Sequence, residues 1–154
     1  NIRFLSDINF LEDFILVMQA FLAANAIGYV AQPLINYNKC NESSITASVS
    51  KQKVKEIVFA TSAIDRVLSA NQLSSSLSKY FNNMKLNLKY WMLCCIDKKA
   101  IASIAWVYPE ADSFIFKSPM PIQAKAILYL LSLKMFKAVE VLIYLLALLR
   151  SLIR

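Results

Sequence analysis

From Val54 to the end of the chain, apolar residues recur at intervals of three and four, and that period leaves little room for anything but helices. Val54, Ile57, Val58, Thr61, Ile64 and Leu68 form one stripe, which should end near Asn71. Leu73, Leu77, Tyr80, Phe81, Met84, Leu88, Trp91 and Met92 form a second. Ala100 to Val107 is a short apolar run, and Pro109 suits the first turn of a helix from Pro109 to Phe116. Ser118-Pro119-Met120-Pro121 is a break. The remainder, Ile122 to Ile153, reads as one long helix or as two shorter ones hinged near Met135. No internal repeat and no low-complexity linker is present.

The opening stretch has a different texture. Phe14, Val17, Met18, Phe21 and Leu22 predict an amphipathic helix from Glu12 to Ala26, with Asn9 as N-cap, Glu12 at N3, and Asn25 and Gly28 as the stop. Two short β-prone runs follow, Tyr29-Val30-Ala31 and Leu34-Ile35-Asn36-Tyr37. Pro33 between them limits these to edge-like strands or extended chain. Asn38 to Ser50 is polar and reads as a loop. The fold class expected is mainly α: a bundle-like helical region over residues 49–154, preceded over residues 1–48 by one helix and two short strands.

Composition removes whole classes of chemistry. The chain has no histidine, which excludes Ser-His-Asp and Cys-His nucleophiles, HExxH zinc sites and histidine proton shuttles. Its single glycine, Gly28, provides neither a GxGxxG turn nor a Walker loop for a phosphate. Cys40 stands alone, and Cys94 and Cys95 are neighbours whose side chains diverge on a helix, so three reduced, buried thiols in a cytoplasmic protein are expected rather than a metal site.

The formal net charge is +7. The basic residues are scattered over several helices without aromatic interleaving, so nucleic acid is not an expected partner. Ala126 to Leu149 is long enough to cross a bilayer, but Lys134, Lys137 and Glu140 interrupt it. At about 2.5–3.5 kcal/mol per central charge, they offset most of the apolar gain. Their spacing also suggests a charged stripe on a surface helix. Residues 117–154 carry six basic residues and one acid, a pattern suited to a core or dimer helix, or to one lying on an anionic membrane.

With histidine absent, carboxylates are the candidate catalysts. Glu12-Asp13 is the only adjacent acidic pair, and it falls where a loop enters a helix, whose N-terminus favours an ionised Asp able to accept a proton from a hydroxyl. A pair in such a first turn is also the ordinary partner of the helix dipole.

The order of segments carries more. Asn9-Phe10-Leu11-Glu12-Asp13-Phe14, an apolar helix, Ala26-Ile27-Gly28-Tyr29-Val30, Gln32-Pro33-Leu34-Ile35-Asn36-Tyr37 and Asn41-Glu42-Ser43-Ser44-Ile45-Thr46 follow one another. This succession resembles the end of the catalytic domain of family 2 glycosyltransferases, particularly bacterial enzymes that build surface polysaccharides. The resemblance covers about the first 46 residues. Tyr108-Pro109-Glu110-Ala111 and the basic, apolar C-terminal helices match tails of that family more loosely.

The resemblance implies a C-terminal piece of an inverting GT-A type enzyme, with the two short strands closing its α/β catalytic domain. Asp13 matches the base that deprotonates the acceptor sugar hydroxyl, and Glu12 its partner in orienting the site. Tyr37 and the loop from Asn38 to Thr46, with Ser44 and Thr46, match the segment closing one side of the substrate cleft. The family often has Tyr where Ile35 stands, and Arg or His where Asn38 and Lys39 stand, which leaves Lys39 to supply a charge.

The nucleotide-sugar domain, whose DxD acids hold Mg or Mn on the diphosphate, would precede Asn1, and no DxD occurs here. The chain by itself would then hold no cofactor and would be inactive. Its expected partners are that missing domain, a glycan or lipid-linked acceptor, and a second copy or an anionic membrane surface for the tail. Its expected place is the cytoplasm, at the inner face of the membrane.

Overall fold

The computed structural model describes residues 2–4, 10–35 and 49–152. It is mainly helical. Helix α1 spans Glu12–Ala23, α2 Lys51–Ala70, α3 Ser74–Cys95, α4 Ile101–Ile104, α5 Ile122–Ser132 and α6 Phe136–Leu152. Two tighter 3-10 turns, Lys98–Ala100 and Pro109–Phe114, flank α4. α2 and α3 span the predicted apolar runs, and the C-terminal stretch resolves into two helices rather than one.

The apolar stripes meet in two adjoining clusters. The larger gathers Leu86, Met92 and Leu93 of α3 with Ile101, Ile104, Ile115, Ile127, Leu128, Leu131 and Val139. Val54 and Ile57, from the first turns of α2, join it. The smaller cluster packs Ile15 of α1 against Ala60, Ala63, Ile64 and Leu68 of α2 and Phe81 of α3. α1 is thus fastened to the helical region through one buried residue, with Met18 packed beside it.

Helix ends explain how so many helices fit with one glycine. After α2, Gln72 takes a left-handed backbone (φ 58), Gln72 N donates to Ser69 O (3.0 Å) and Leu73 N to Leu68 O (2.8 Å). After α5, Lys134 does the same (φ 58), with Lys134 N on Leu131 O (2.9 Å) and Met135 N on Leu130 O (3.0 Å). Both are the paired-bond cap that usually recruits glycine. Leu11 (φ 64) and Tyr108 (φ 51) are left-handed as well, while Gly28 is not. This cap after α5 makes the hinge near Met135. It also moves Lys134 off the helix, so Lys134, Lys137 and Glu140 do not form one charged stripe.

The N-terminal region departs from expectation in three ways. α1 starts at Glu12, with left-handed Leu11 at the cap position and no side-chain cap bond, so Glu12 is the first helical residue and not N3. Asn9, the expected cap, lies outside the described residues. α1 also ends at Ala23, since Ala24 is already extended (φ −78, ψ 134), three residues before the expected end. Packing accounts for the early stop: residues 20–35 are exposed throughout, and a helix without a covered face gains little by continuing.

The third departure concerns the strands. Tyr29-Val30-Ala31 and Leu34-Ile35 are neither strand nor helix, and Asn36 and Tyr37 lie outside the described residues. A strand exists only by bonding to a neighbour, and among the described residues no sheet is present to receive these runs. The single β contact described is an isolated parallel bridge between Val49 and Ile96, which pins the start of α2 beside the end of α3.

Candidate functional site

Glu12 and Asp13 occupy the first turn of α1. Asp13 is exposed, and its Oδ1 accepts from Phe14 N at 2.7 Å. Glu12 is half-buried. Here four backbone N–H groups lack helical acceptors and the helix dipole is positive, which suits two carboxylates. Phe14, next in the chain, lines an apolar cavity of about 250 Å³ between α1, α2 and α3, shared with Met18, Leu68, Leu77, Phe81 and Met84. Glu12 and Asp13 themselves are not among the residues that line this recess. Tyr37, Lys39, Ser44 and Thr46, the other expected site residues, lie outside the described residues.

A second concave site, which no sequence pattern singled out as one, sits at the Pro109–Phe114 turn. Its cavity, about 320 Å³, is bordered by Ser62 and Asp65 of α2, Lys85 of α3, and Trp106, Tyr108 and Glu110. Tyr108 is its anchor. Thr61 Oγ1 donates to the carbonyls of Ile57 (3.0 Å) and Val58 (2.9 Å) in its own helix. It also lies 2.9 Å from Tyr108 Oη, a hydrogen bond in which either hydroxyl can donate. Burial pushes the Tyr108 phenol up to about 12, with the Thr61 hydrogen bond pulling the other way. Left-handed backbone at a bulky residue costs of order 1–3 kcal/mol and persists only where surrounding contacts dictate it, as these do.

Two ion pairs tie the same turn to α3. Lys85 Nζ meets Glu110 Oε1 at 2.7 Å near the surface, with the ammonium also 4.4 Å from the centre of the Phe81 ring. Lys89 Nζ meets Asp112 Oδ1 at 2.7 Å, with the Lys89 side chain 0% exposed and that of Asp112 18%. Burial raises the Glu110 carboxyl, but the hydrogen bond and charge of Lys85, with the charge of Lys89, outweigh it and hold the group below its ordinary value. For Asp112, burial is stronger and raises the carboxyl despite the hydrogen bond from Lys89. The Tyr108-Pro109-Glu110-Ala111 segment, noted in the sequence for a loose likeness, is thus a structural clamp.

Among the described residues, no group of three acidic or thiol side chains stands close enough to hold a metal ion. The expected burial of the thiols does not hold for this pair: Cys94 is exposed and Cys95 half-buried, both reduced, while Cys40 lies outside the described residues. Burial pushes the Cys95 thiol up, with the Cys94 charge adding to it. No protein-family profile, curated protein or solved structure matches the chain.

Proposed function

We propose that this chain is the C-terminal part of an inverting family 2 type glycosyltransferase, which moves a sugar from a nucleotide donor to a glycan or lipid-linked acceptor. Asp13 is the catalytic base and Glu12 orients the site. Tyr37, Lys39, Ser44 and Thr46 close the substrate cleft, and the donor domain with its divalent metal precedes Asn1. The helical tail holds the enzyme to a second copy or at its place of work, and the chain alone does not turn over substrate.

The observation that carries this reading is the run from Ala24 to Ile35. It follows an acid-opened helix, is rich in strand-forming apolar residues, and has no sheet to join among the described residues, with Tyr29 90% and Ile35 85% exposed. Strand-prone side chains left in water are what a sheet supplied by an upstream domain would cover. The exposure of Asp13 supports the same reading, since a carboxylate in water is accessible to an acceptor hydroxyl.

The test is sugar transfer by the polypeptide purified from its native source, compared with its Asp13→Asn form over a panel of nucleotide sugars. Loss of a general base predicts a fall of about 100-fold or more in kcat, with donor binding changed by less than about twofold. Transfer within a few-fold of the unaltered enzyme removes Asp13 as base. A second reading, a non-catalytic helical interaction module in which Glu12 and Asp13 only partner the helix dipole, is favoured by the uncovered outer face of α6.

A further inference from the structure

α6 is apolar on two opposite sides. Its inner side places Val139 in the core, with Leu142, Ile143 and Leu146 packed against it. Its outer side carries Val141, Tyr144, Leu145, Leu148 and Leu149, all exposed. Their spacing is i, i+3, i+4, i+7, i+8, so they form one continuous stripe along the helix. The inner stripe is satisfied by the rest of the molecule. The outer one stays 42–58% exposed.

The rim of that stripe identifies what covers it. Lys98 Nζ lies 5.5 Å from the centre of the Tyr144 ring, within the stripe itself. Lys137 is exposed one helical turn before Val141, in the same row. Lys99 is exposed beside Lys98, and Lys134 is exposed in the turn before α6, 4.3 Å from the ring centre of exposed Trp106. Two acids stand nearby. Asp97 is engaged by the Lys99 backbone N–H at 2.9 Å, and Glu140 lies at the edge of the stripe, half-buried.

We propose that the outer face of α6 docks in the plane of an anionic lipid surface, with the stripe among the acyl chains and Lys98, Lys99, Lys134 and Lys137 on the headgroup phosphates. A second copy of the chain fits poorly, because residues 117–154 carry six basic residues and one acid, and pairing two such tails sets like charges together. Among the described residues no helix is long and apolar enough to cross a membrane. An aromatic-tipped apolar stripe between lysines is the composition of a helix lying in the interface. This gives the tail's docking role one surface and one partner, and it does not require the catalytic reading.

The experiment is co-sedimentation of the chain with phosphatidylglycerol vesicles and with phosphatidylcholine vesicles, over a range of salt. Binding to the anionic vesicles alone, weakened as salt screens the lysines, is expected. Leu145→Glu/Leu148→Glu should weaken it by about tenfold or more, and Lys98→Gln/Lys137→Gln should weaken it and flatten its salt dependence. All four positions lie on the outer side, and circular dichroism confirms that the variants stay folded. Absence of binding to phosphatidylglycerol, equal binding to both lipids, or binding unchanged by Leu145→Glu/Leu148→Glu overturns the proposal. So does a wild-type dimer in analytical ultracentrifugation that Leu145→Glu/Leu148→Glu disperses, since the occupant is then a second copy. Vesicle binding lost while Asp13→Asn still abolishes transfer counts against this inference alone. Vesicle binding kept while Asp13→Asn transfers normally counts against the catalytic reading alone.

Discussion

Truncating Asp112 tests the packing of α3 against the Pro109–Phe114 turn. Lys89 is fully buried and meets Asp112 at 2.7 Å, while Asp112 keeps partial access to water. Asp112→Ala therefore strands a buried ammonium, and Lys89→Met leaves a carboxylate that can still be solvated. Removing one partner of a buried pair costs about 3–5 kcal/mol, whereas replacing the pair by apolar groups of similar volume is often neutral. In a domain of this size about 1 kcal/mol moves Tm by roughly 2–4 °C, so Asp112→Ala should lower Tm by about 6–20 °C. Lys89→Met should cost less than about half of that, and Lys89→Met/Asp112→Asn should recover most of the Asp112→Ala loss. The assay is thermal and urea unfolding at neutral pH, followed by circular dichroism, with the urea slope checked for constancy. A loss below about 1 kcal/mol for Asp112→Ala, or equal losses for Asp112→Ala and Lys89→Met, would refute the reasoning, because Lys89 would then reach water without its partner.

Two further outcomes are expected. The Tyr108 phenol is raised to about 12, above its unfolded value, so its contribution is fully present below about pH 10 and is lost as pH rises through about 12. Absorbance titration of the tyrosinates should show a late component that Tyr108→Phe removes, and the alkaline loss of stability should shrink with it. Gln72 sits at a left-handed helix stop with φ 58, so Gln72→Gly should raise stability by about 0.5–1 kcal/mol in urea unfolding. A loss there would mean that the Gln72 side chain contributes more than the strain costs.

The helices were legible because burial and period coincide. Val54, Ile57, Val58, Thr61, Ile64 and Leu68 share one stripe in the sequence, and all but the half-buried Val58 are buried. α3 was read less well, for a physical reason. Its first half packs on α1 and α2, and its second half on α4, α5 and the 3-10 turn, so the buried arc shifts along the helix. Tyr80, on the expected stripe, is exposed, while Leu86, Lys89 and Leu93 are buried without having been expected. Lys89 lies three residues from both Leu86 and Met92, so the period contained it, but its charge argued for solvent. The acid that makes its burial tolerable is 23 residues away, and no local rule joins them. The strand runs failed for the converse reason: their composition was suitable, but a strand depends on a neighbour, and the described residues provide none.

The acidic pair and the 3-10 turn show how differently the same residue types act once placed. Glu12 and Asp13 share a first turn whose free backbone N–H groups and dipole suit carboxylates, so they need no cation, and Asp13 stays exposed to water. Glu110 and Asp112 also occupy the first turn of a helical segment, yet each is turned onto a lysine of α3. Between them Ala111 is buried in the core, and Tyr108 before them bonds to Thr61 of α2. Four residues thus bind one turn to two helices through a phenol, two carboxylates and a methyl group, and their charge is consumed by structure. Of the two acidic groups, only the one opening α1 has no ion pair among the described residues. That is why the catalytic proposal rests on Asp13 and not on the larger cavity beside Tyr108.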